Sequence, residues 1–223
     1  MVLVSFQKEF IYTKTNKTAG TSVEIFFEPY CLPPEGYEES HFRPETVTDF
    51  GVVGHRGPNM PSETIWYNHM PAARIRDYLG GEVWNQFFKF CVVRNPFDKL
   101  VSMYFFHRSR EGDPPTDRDF AAIRRDFLIW LKGGPFRGDR DRYLIDGAVC
   151  VDYFIRFEAL LEGLAEVCRR LGLERPASEL QRFKAQSRQS DRHFSEFYDR
   201  EAQAIVAEVY AFELERFGYR LLE

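Results

Sequence analysis

Lys17 stands directly before a run of small and hydroxyl-bearing residues, Thr18-Ala19-Gly20-Thr21-Ser22. Small residues let successive backbone N–H groups converge on an anion at the N-terminus of a helix, and Lys17 adds a full positive charge. In the G-x-x-x-x-G-K-[ST] nucleotide loop the lysine directly follows a glycine, whereas here Lys17 precedes Gly20 by three residues. The run therefore predicts a site for a phosphate-like group and argues against an ATP-dependent kinase.

Arg94 and Ser102 form a second pair that could bind an anion. The guanidinium of Arg94 offers a planar fork to a phosphate, and Ser102 offers a hydroxyl donor. Arg94 directly follows the apolar run Phe88–Val93, so we expect it at the carboxyl end of a strand, where ligands bind in open α/β sheets. Arg94 should then face the same crevice as Lys17, although a surface ion pair is the alternative role for such an arginine.

Three β-rich runs, at residues 10–13, 88–93 and 151–157, are each followed by a helical pattern of apolar residues. Strands that alternate with helices predict an α/β fold with a parallel sheet and right-handed crossovers. We predict a single domain over residues 1–223. Residues 31–70 show no clear period of apolar residues. We interpret them as an irregular insertion, on the side of the site where an acceptor substrate would bind.

The charge balance limits the possible partners. The chain has 223 residues, of which 44% are hydrophobic and 29% charged, and its 30 Lys plus Arg against 34 Asp plus Glu give a net charge of −4. Such a composition predicts a globular protein with a core. It lacks the basic excess of a general nucleic-acid-binding protein, so no nucleic-acid partner is expected and any anion site must be local.

The sequence contains no signal for a membrane or for export. No stretch approaches the roughly 18 to 20 uninterrupted apolar residues that span a bilayer, and the N-terminus lacks a basic start followed by an apolar run. The four cysteines have no C-x-x-C spacing, and we interpret them as free thiols packed as small hydrophobes: Cys31, Cys91, Cys150 and Cys168. A cytoplasmic protein without a membrane span is the resulting prediction.

Both anion-binding segments resemble those of sulfotransferases that use 3′-phosphoadenosine 5′-phosphosulfate (PAPS). Residues 17–22 are similar to the loop that binds the 5′-phosphosulfate in that family, and residues 94–102 to the segment that binds the 3′-phosphate. Residues 154–158 and the ending from 197 to 219 resemble bacterial members related to the carbohydrate sulfotransferases. The resemblance covers nearly the whole chain and is weakest over residues 31–65.

The resemblance implies a fold related to the P-loop kinases, with three layers and a central parallel sheet flanked by helices. It implies transfer of a sulfuryl group from PAPS to an acceptor hydroxyl, on a glycan or glycolipid. The backbone of residues 17–22 and the hydroxyls of Thr21 and Ser22 would hold the 5′-phosphosulfate, while Arg94 and Ser102 would hold the 3′-phosphate. Lys17 would stabilise the leaving phosphate, with no metal required.

A general base must take the proton of the acceptor, and histidine is the side chain best suited to this near neutral pH. His69 is our first candidate because it lies just before the helix that leads into the Arg94 strand, where carbohydrate-type family members carry a candidate histidine. His55 is the second candidate. An acidic residue from residues 31–65 remains open, as does a purely structural role for either histidine.

Residues 176–198 are polar and basic, and Lys184 and Arg188 in this stretch resemble the family's loop that closes over the nucleotide. Solvated surface charge is an equal alternative for these two residues. Two other functions stay open for the whole chain. One is a P-loop-type small-molecule kinase, and the other is a nucleotide-binding module without catalytic activity.

Overall fold

The structure is a computed structural model, and it describes residues 2–35, 37–115, 119–134, 138–181 and 190–222. The chain divides into two compact units. Met1–Val93 and Asp139–Phe183 form the first, here named the sheet unit; Arg94–Gly138 and Lys184–Glu223 form the second, here named the helical unit. That residues 1–223 make one domain stays a prediction.

Within the described residues, the sheet unit contains a six-stranded sheet and a separate two-stranded hairpin. The six strands are β1 (Leu3–Ser5), β2 (Phe10–Tyr12), β3 (Thr46–Thr48), β4 (Gly51–Val53), β5 (Phe88–Val93) and β8 (Tyr153–Arg156), and the hairpin is β6 (Leu144–Ile145) with β7 (Ala148–Val149). The spatial order is β3-β4-β1-β2-β5-β8. The pairs β2–β5 and β5–β8 are parallel, and the pairs β3–β4, β4–β1 and β1–β2 are antiparallel.

The three strands expected from the sequence are the three that run parallel to one another. The sheet as a whole is mixed, because β1, β3 and β4 add antiparallel pairs that the sequence analysis did not anticipate. None of these three strands is followed by a helical pattern of apolar residues, which is the signal that identified β2, β5 and β8; length does not separate them, since β2 also has three residues. Residues 31–70 are accordingly not wholly irregular, since they contain β3 and β4.

Helices cover both faces of the sheet. On one face, Phe10 and Tyr12 of β2 pack in a core with residues of α1 (Gly20–Phe27) and α6 (Leu160–Leu171). On the other face, Ile11 packs in a core with residues of α2 (Ala72–Leu79) and α3 (Gly81–Gln86), as the alternation of side chains along a strand requires. The predicted α/β fold, with a central sheet between layers of helices, is thereby confirmed.

The helical unit is built, within its described residues, from α4 (Pro96–Arg110), α5 (Phe120–Gly133), α7 (Arg200–Val209) and α8 (Ala211–Phe217). Its core is aromatic, with Tyr104, Phe127 and Phe197 almost fully buried. Across the described ranges, no helix combines the length and the apolar composition needed to cross a bilayer. All four cysteines are free thiols, three of them buried and Cys150 half-buried.

Candidate active site

The loop between β2 and α1 has the shape expected of an anion site. Lys17 and Ala19 both have a φ of 56°, a left-handed conformation that costs non-glycine residues energy and recurs at binding sites. Ala19 is the N-cap of α1, so it offers no side-chain acceptor to the first N–H groups of the helix, and the first turn holds no acidic residue. A bound anion can supply the missing acceptor. The strand, loop and helix predicted for this segment are present.

Thr15 and Thr18 fix this loop to the sheet. The hydroxyl of Thr15 donates to the carbonyl oxygen of Val92 in β5, and the two threonine hydroxyl oxygens lie 2.9 Å apart. Thr18 is fully buried. Its side chain therefore has a structural role, and any part that Thr18 takes in anion binding must come from its backbone.

Asp139 holds the residue that precedes Lys17. Its carboxylate accepts hydrogen bonds from the backbone N of Asn16 at 2.9 Å and from Asn16 Nδ2 at 2.5 Å. Asp139 is only 1% exposed and is the N-cap of a short 3-10 turn, Arg140–Arg142. The sequence analysis missed this residue because its partner lies 123 positions away and no local pattern marks the pair.

Lys14, at the exit of β2, is a buried cation that the sequence analysis also missed. Its Nζ lies 2.7 Å from Oε2 of Glu24 in α1. Burial alone would raise the pKa of the Glu24 carboxyl, but nearby positive charges, of which Lys14 contributes most and Arg56 less, outweigh burial and lower that pKa to about 2. The stem of Lys14 lies against Gly20, where a Cβ would come within 2.5 Å of Lys14 Cε. The glycine of the motif thus gives the lysine room to reach Glu24.

His69 contacts the same loop through the main chain of Lys14. Its Nδ1 lies 3.2 Å from the carbonyl oxygen of Lys14, and its own carbonyl oxygen accepts from Nε of Arg142 at 3.1 Å. Because a carbonyl can only accept, this pairing favours the tautomer with the proton on Nδ1 and leaves Nε2 as a proton acceptor. Burial, reinforced by the charge of Lys14, lowers the pKa of His69 to about 3.

His55 has different surroundings. It follows β4, is 8% exposed, and donates its backbone N–H to the carbonyl oxygen of Trp66 at 2.7 Å. Within the described residues, both of its buried ring nitrogens lack a hydrogen-bond partner. The residue is also one of those around an open depression beside β3 and β4. The structure thus ties His69, the first candidate for the general base, to the loop of Lys17 and gives His55 another environment.

Arg94 and Ser102 lie in the helical unit, at and near the start of α4. Asp98 accepts from Nε and Nη2 of Arg94 at 2.8 and 2.7 Å, and thereby holds one edge of the guanidinium. Ser102 is 5% exposed. Asn95 caps α4 by accepting from the N–H of Phe97 at 3.0 Å, which explains an asparagine at this position without any contact to a ligand.

The predicted site residues fall in both units. Residues 17–22 and both candidate histidines belong to the sheet unit, and Arg94 and Ser102 belong to the helical unit. The expectation that they share one crevice stays a prediction. Lys184 and Arg188 lie outside the described residues.

Comparisons with known proteins give two similarities. No protein-family model matches the chain. A protein of Archaeoglobus fulgidus described as uncharacterized is 29% identical over 106 residues, which are 47% of this chain and 83% of that protein. The crystal structure of the mouse sulfotransferase SULT7A1 complexed with PAP has a TM-score of 0.48 and 15% identity, with 95% of this chain and 86% of that chain covered. Neither similarity assigns an activity to this chain.

Proposed function

We propose that the protein is a sulfotransferase that transfers the sulfuryl group of PAPS to an acceptor hydroxyl. The observation that carries the proposal is the loop between β2 and α1, where Lys17 and the N-terminus of α1 follow Lys14, whose carbonyl oxygen holds His69. These features support the proposal because Lys17, the start of α1 and the contact of His69 with Lys14 all belong to one short loop. The choice of a glycan or glycolipid as acceptor rests on the resemblance of the motifs.

In the proposed reaction, the N–H groups at the start of α1 and the hydroxyls of Thr21 and Ser22 bind the 5′-phosphosulfate. Lys17 donates to the oxygen that bridges phosphorus and sulfur and offsets the negative charge that develops there. The acceptor oxygen forms a bond to sulfur while the bond from sulfur to the bridging oxygen breaks, and the acceptor proton passes to Nε2 of His69. The products are the sulfated acceptor and adenosine 3′,5′-bisphosphate (PAP).

The 3′-phosphate is assigned to Arg94 and Ser102. Asp98 engages one edge of the Arg94 guanidinium and so orients its planar fork, a geometry suited to a phosphate. That Lys184 and Arg188 close over the nucleotide, and that the reaction needs no metal, belong to the same proposal.

His69 is preferred to His55 as the base because its ring is fixed to the loop that carries Lys17. The pKa of about 3 keeps the imidazole unprotonated at neutral pH in the unliganded protein. Bound PAPS brings several negative charges next to this ring, and negative charge raises the pKa of an imidazole. The proton affinity of His69 should therefore increase when the cofactor binds.

Calorimetric titration with PAP and with ATP separates this function from the kinase. We expect PAP to bind and ATP to bind at least tenfold more weakly, since residues 94–102 are assigned to a 3′-phosphate that ATP lacks. Arg94→Gln should remove most of this preference, with Arg125→Gln on exposed α5 surface as the matched control. Binding of ATP in preference to PAP would contradict the proposal and favour the kinase.

A further inference from the structure

The short turn Arg140–Arg142 contacts two parts of the proposed site, both within the sheet unit. At the start of the turn, the carboxylate of Asp139 holds Asn16 in the loop between β2 and α1. At its end, Nε of Arg142 donates to the carbonyl oxygen of His69 at 3.1 Å. One turn of chain therefore reaches both the loop that we assign to the cofactor and the residue that we assign to the acceptor proton.

The turn is fixed to the sheet. Tyr143, directly after it, is buried, and its ring packs edge-on against Phe154 of β8 with the ring centroids 5.6 Å apart. The carbonyl oxygen of Asp139 accepts from the backbone N of Arg142 at 2.9 Å, which closes the turn. Nη1 of Arg142 contacts the carboxylate of Asp141, and the Arg142 side chain is only 18% exposed. The donor that reaches His69 is therefore held in place by its own surroundings.

His69 has a backbone conformation that depends on its surroundings. Its φ of 58° lies in the left-handed region, which costs a non-glycine residue energy and persists where neighbouring contacts impose it. The next residue, Met70, is buried in the core, and Pro71 is the N-cap of α2. The contact with Arg142 fixes the carbonyl of the peptide that links His69 to Met70.

Two contacts together define where the imidazole lies. Arg142 holds the backbone of His69 at its carbonyl oxygen, and the carbonyl oxygen of Lys14 lies 3.2 Å from Nδ1 of the ring. Nε2 is the remaining ring nitrogen, and it takes the acceptor proton in the proposed reaction. If His69 relaxed to a negative φ, its Cβ and its ring would leave the chain in another direction. A displacement of about 1 Å in a reacting geometry can lower a rate by about 10²-fold.

We propose that Arg142 is a positioning residue for the general base: its Nε–H holds the left-handed backbone of His69 and thereby the direction of the imidazole. The inference rests on the proposed function, because it takes His69 as the base of sulfuryl transfer. Asp139 has a different role, since its carboxylate contacts the loop that we assign to the cofactor. Loss of the Arg142 contact should therefore lower kcat, whereas loss of the Asp139 contact should raise KM for PAPS.

Two substitutions separate the hydrogen bond of Arg142 from its charge. Glutamine carries its amide nitrogen on Cδ, as arginine carries Nε, so Arg142→Gln keeps a donor for the His69 carbonyl and removes the charge. Methionine places a methyl group at the same distance along the side chain, so Arg142→Met removes both. Arg169→Met, at a side chain 72% exposed in α6, is the matched control.

Steady-state transfer from radiolabelled PAPS, with lactose, chitobiose and galactosylceramide as acceptor probes, gives the first readout. We expect Arg142→Met to lower kcat about tenfold and to leave KM for PAPS and Kd for PAP within about twofold of the unmodified protein. Arg142→Gln should keep kcat within about threefold, because the hydrogen bond is retained. Arg169→Met should behave like the unmodified protein.

Nitrogen-15 NMR of the imidazole rings at neutral pH, assigned with His69→Gln, gives a second readout that needs neither PAPS nor an acceptor. The carbonyl of Lys14 can only accept, so the unmodified protein should show His69 protonated at Nδ1. Arg142→Met should lose this single tautomer, because the released ring no longer faces that carbonyl. Arg142→Gln should keep it.

The proposal is overturned if Arg142→Met keeps the kcat or the Nδ1–H tautomer of the unmodified protein, or if Arg142→Gln lowers kcat as much as Arg142→Met does. A rise in KM for PAPS with an unchanged kcat would also overturn it. If the unmodified protein transfers sulfate to none of the probes, the proposed function fails, and the imidazole spectra alone decide whether Arg142 positions His69.

Discussion

Asp139 shows at the scale of single residues how a site depends on contacts that the sequence does not display. Lys17, Gly20 and Ser22 can be recognised because they lie within six consecutive residues and are chemically distinctive. Asp139 fixes the neighbouring Asn16 from a position 123 residues away, and its surroundings in the sequence are an ordinary polar stretch. Such a partner becomes visible only when the fold brings the two residues together.

Replacement of Asp139 tests its positioning role. In Asp139→Asn, one of the two hydrogen bonds to Asn16 is lost together with the charge of the acceptor, and a charge-assisted hydrogen bond is worth about 1.5–3 kcal/mol. We expect a rise of about tenfold or more in KM for PAPS with a smaller change in the melting temperature. Asp146→Asn, at a left-handed turn position where asparagine is equally tolerated, is the control.

Steady-state kinetics at varied PAPS concentration measures this effect. An unchanged KM with a lowered melting temperature would show that Asp139 stabilises the fold without positioning the loop. Equal effects of the Asp139 and Asp146 substitutions would lead to the same conclusion.

His69 predicts a pH dependence of stability. Its pKa of about 3 in the folded protein lies below the ordinary value of 6.5, so the unfolded chain binds a proton in the interval where the folded protein does not. The free energy of unfolding is therefore highest, as far as His69 is concerned, above pH 6.5, and it decreases as pH falls from 6.5 toward 3. The slope of the unfolding free energy against pH from this one histidine is at most about 1.4 kcal/mol per pH unit, the value for one proton.

Urea unfolding between pH 6.5 and pH 5.5 measures this slope before most ordinary carboxylates titrate. We expect His69→Gln to reduce the loss of unfolding free energy over this interval, and His107→Gln on the exposed surface of α4 to leave it as it is. Identical slopes for His69→Gln and the unmodified protein would show that the histidine is not held in a neutral state by its surroundings.

At the scale of elements, strands that are followed by a helical pattern could be predicted, and strands that are followed by another strand or by a loop could not. The parallel strands β2, β5 and β8 coincide with apolar or β-rich runs and were expected. The glycine pair Gly80-Gly81 predicts the end of a helix, and α2 does end there, but α3 begins at Gly81. The apolar spacing of residues 202–217 predicts one amphipathic helix, which is divided into α7 and α8 at Tyr210, whose φ of −109° and ψ of 25° are not helical. Apolar periodicity continues through such breaks, which is why it did not reveal them.

The start of α1 carries a prediction about packing. In Gly20→Ala the new Cβ would lie 2.5 Å from Cε and 2.9 Å from Cγ of Lys14, so the lysine must move away from Glu24. We expect a loss of about 2 kcal/mol in unfolding free energy, because overpacking is combined with weakening of a buried ion pair. Gly81→Ala, at the first residue of α3 with open space around it, should be neutral or slightly stabilising.

Chemical denaturation of Gly20→Ala, of Lys14→Ala and of the double variant, with Gly81→Ala as the control, checks the cause. If the clash with Lys14 is responsible, the effects of the two substitutions will not add. Additive effects, or a neutral Gly20→Ala, would contradict the packing role assigned to this glycine.

For the whole molecule, the composition limited which kinds of ligand could be expected, and the structure adds where the charged residues lie. A net charge of −4 excluded a general polyanion-binding surface and required a local anion site. Buried charges of both signs concentrate beside the loop of Lys17, where Lys14 and Arg56 oppose the carboxylates of Glu24 and Glu28. The total charge could not show this, because opposite charges cancel in a sum. The two segments that we propose to bind PAPS, residues 17–22 and 94–102, lie in different compact units, whereas the sequence predicted a single domain.

The central claim is sulfuryl transfer that depends on Lys17, and the most direct measurement is transfer of radiolabelled sulfate from PAPS to a panel of glycans and glycolipids. We expect labelled product from the unmodified protein, a rate at least about 10²-fold lower for Lys17→Ala, and an unchanged rate for Lys8→Ala, whose side chain is exposed. Undiminished transfer by Lys17→Ala, or no transfer to any acceptor by a protein that binds PAP, would contradict the account.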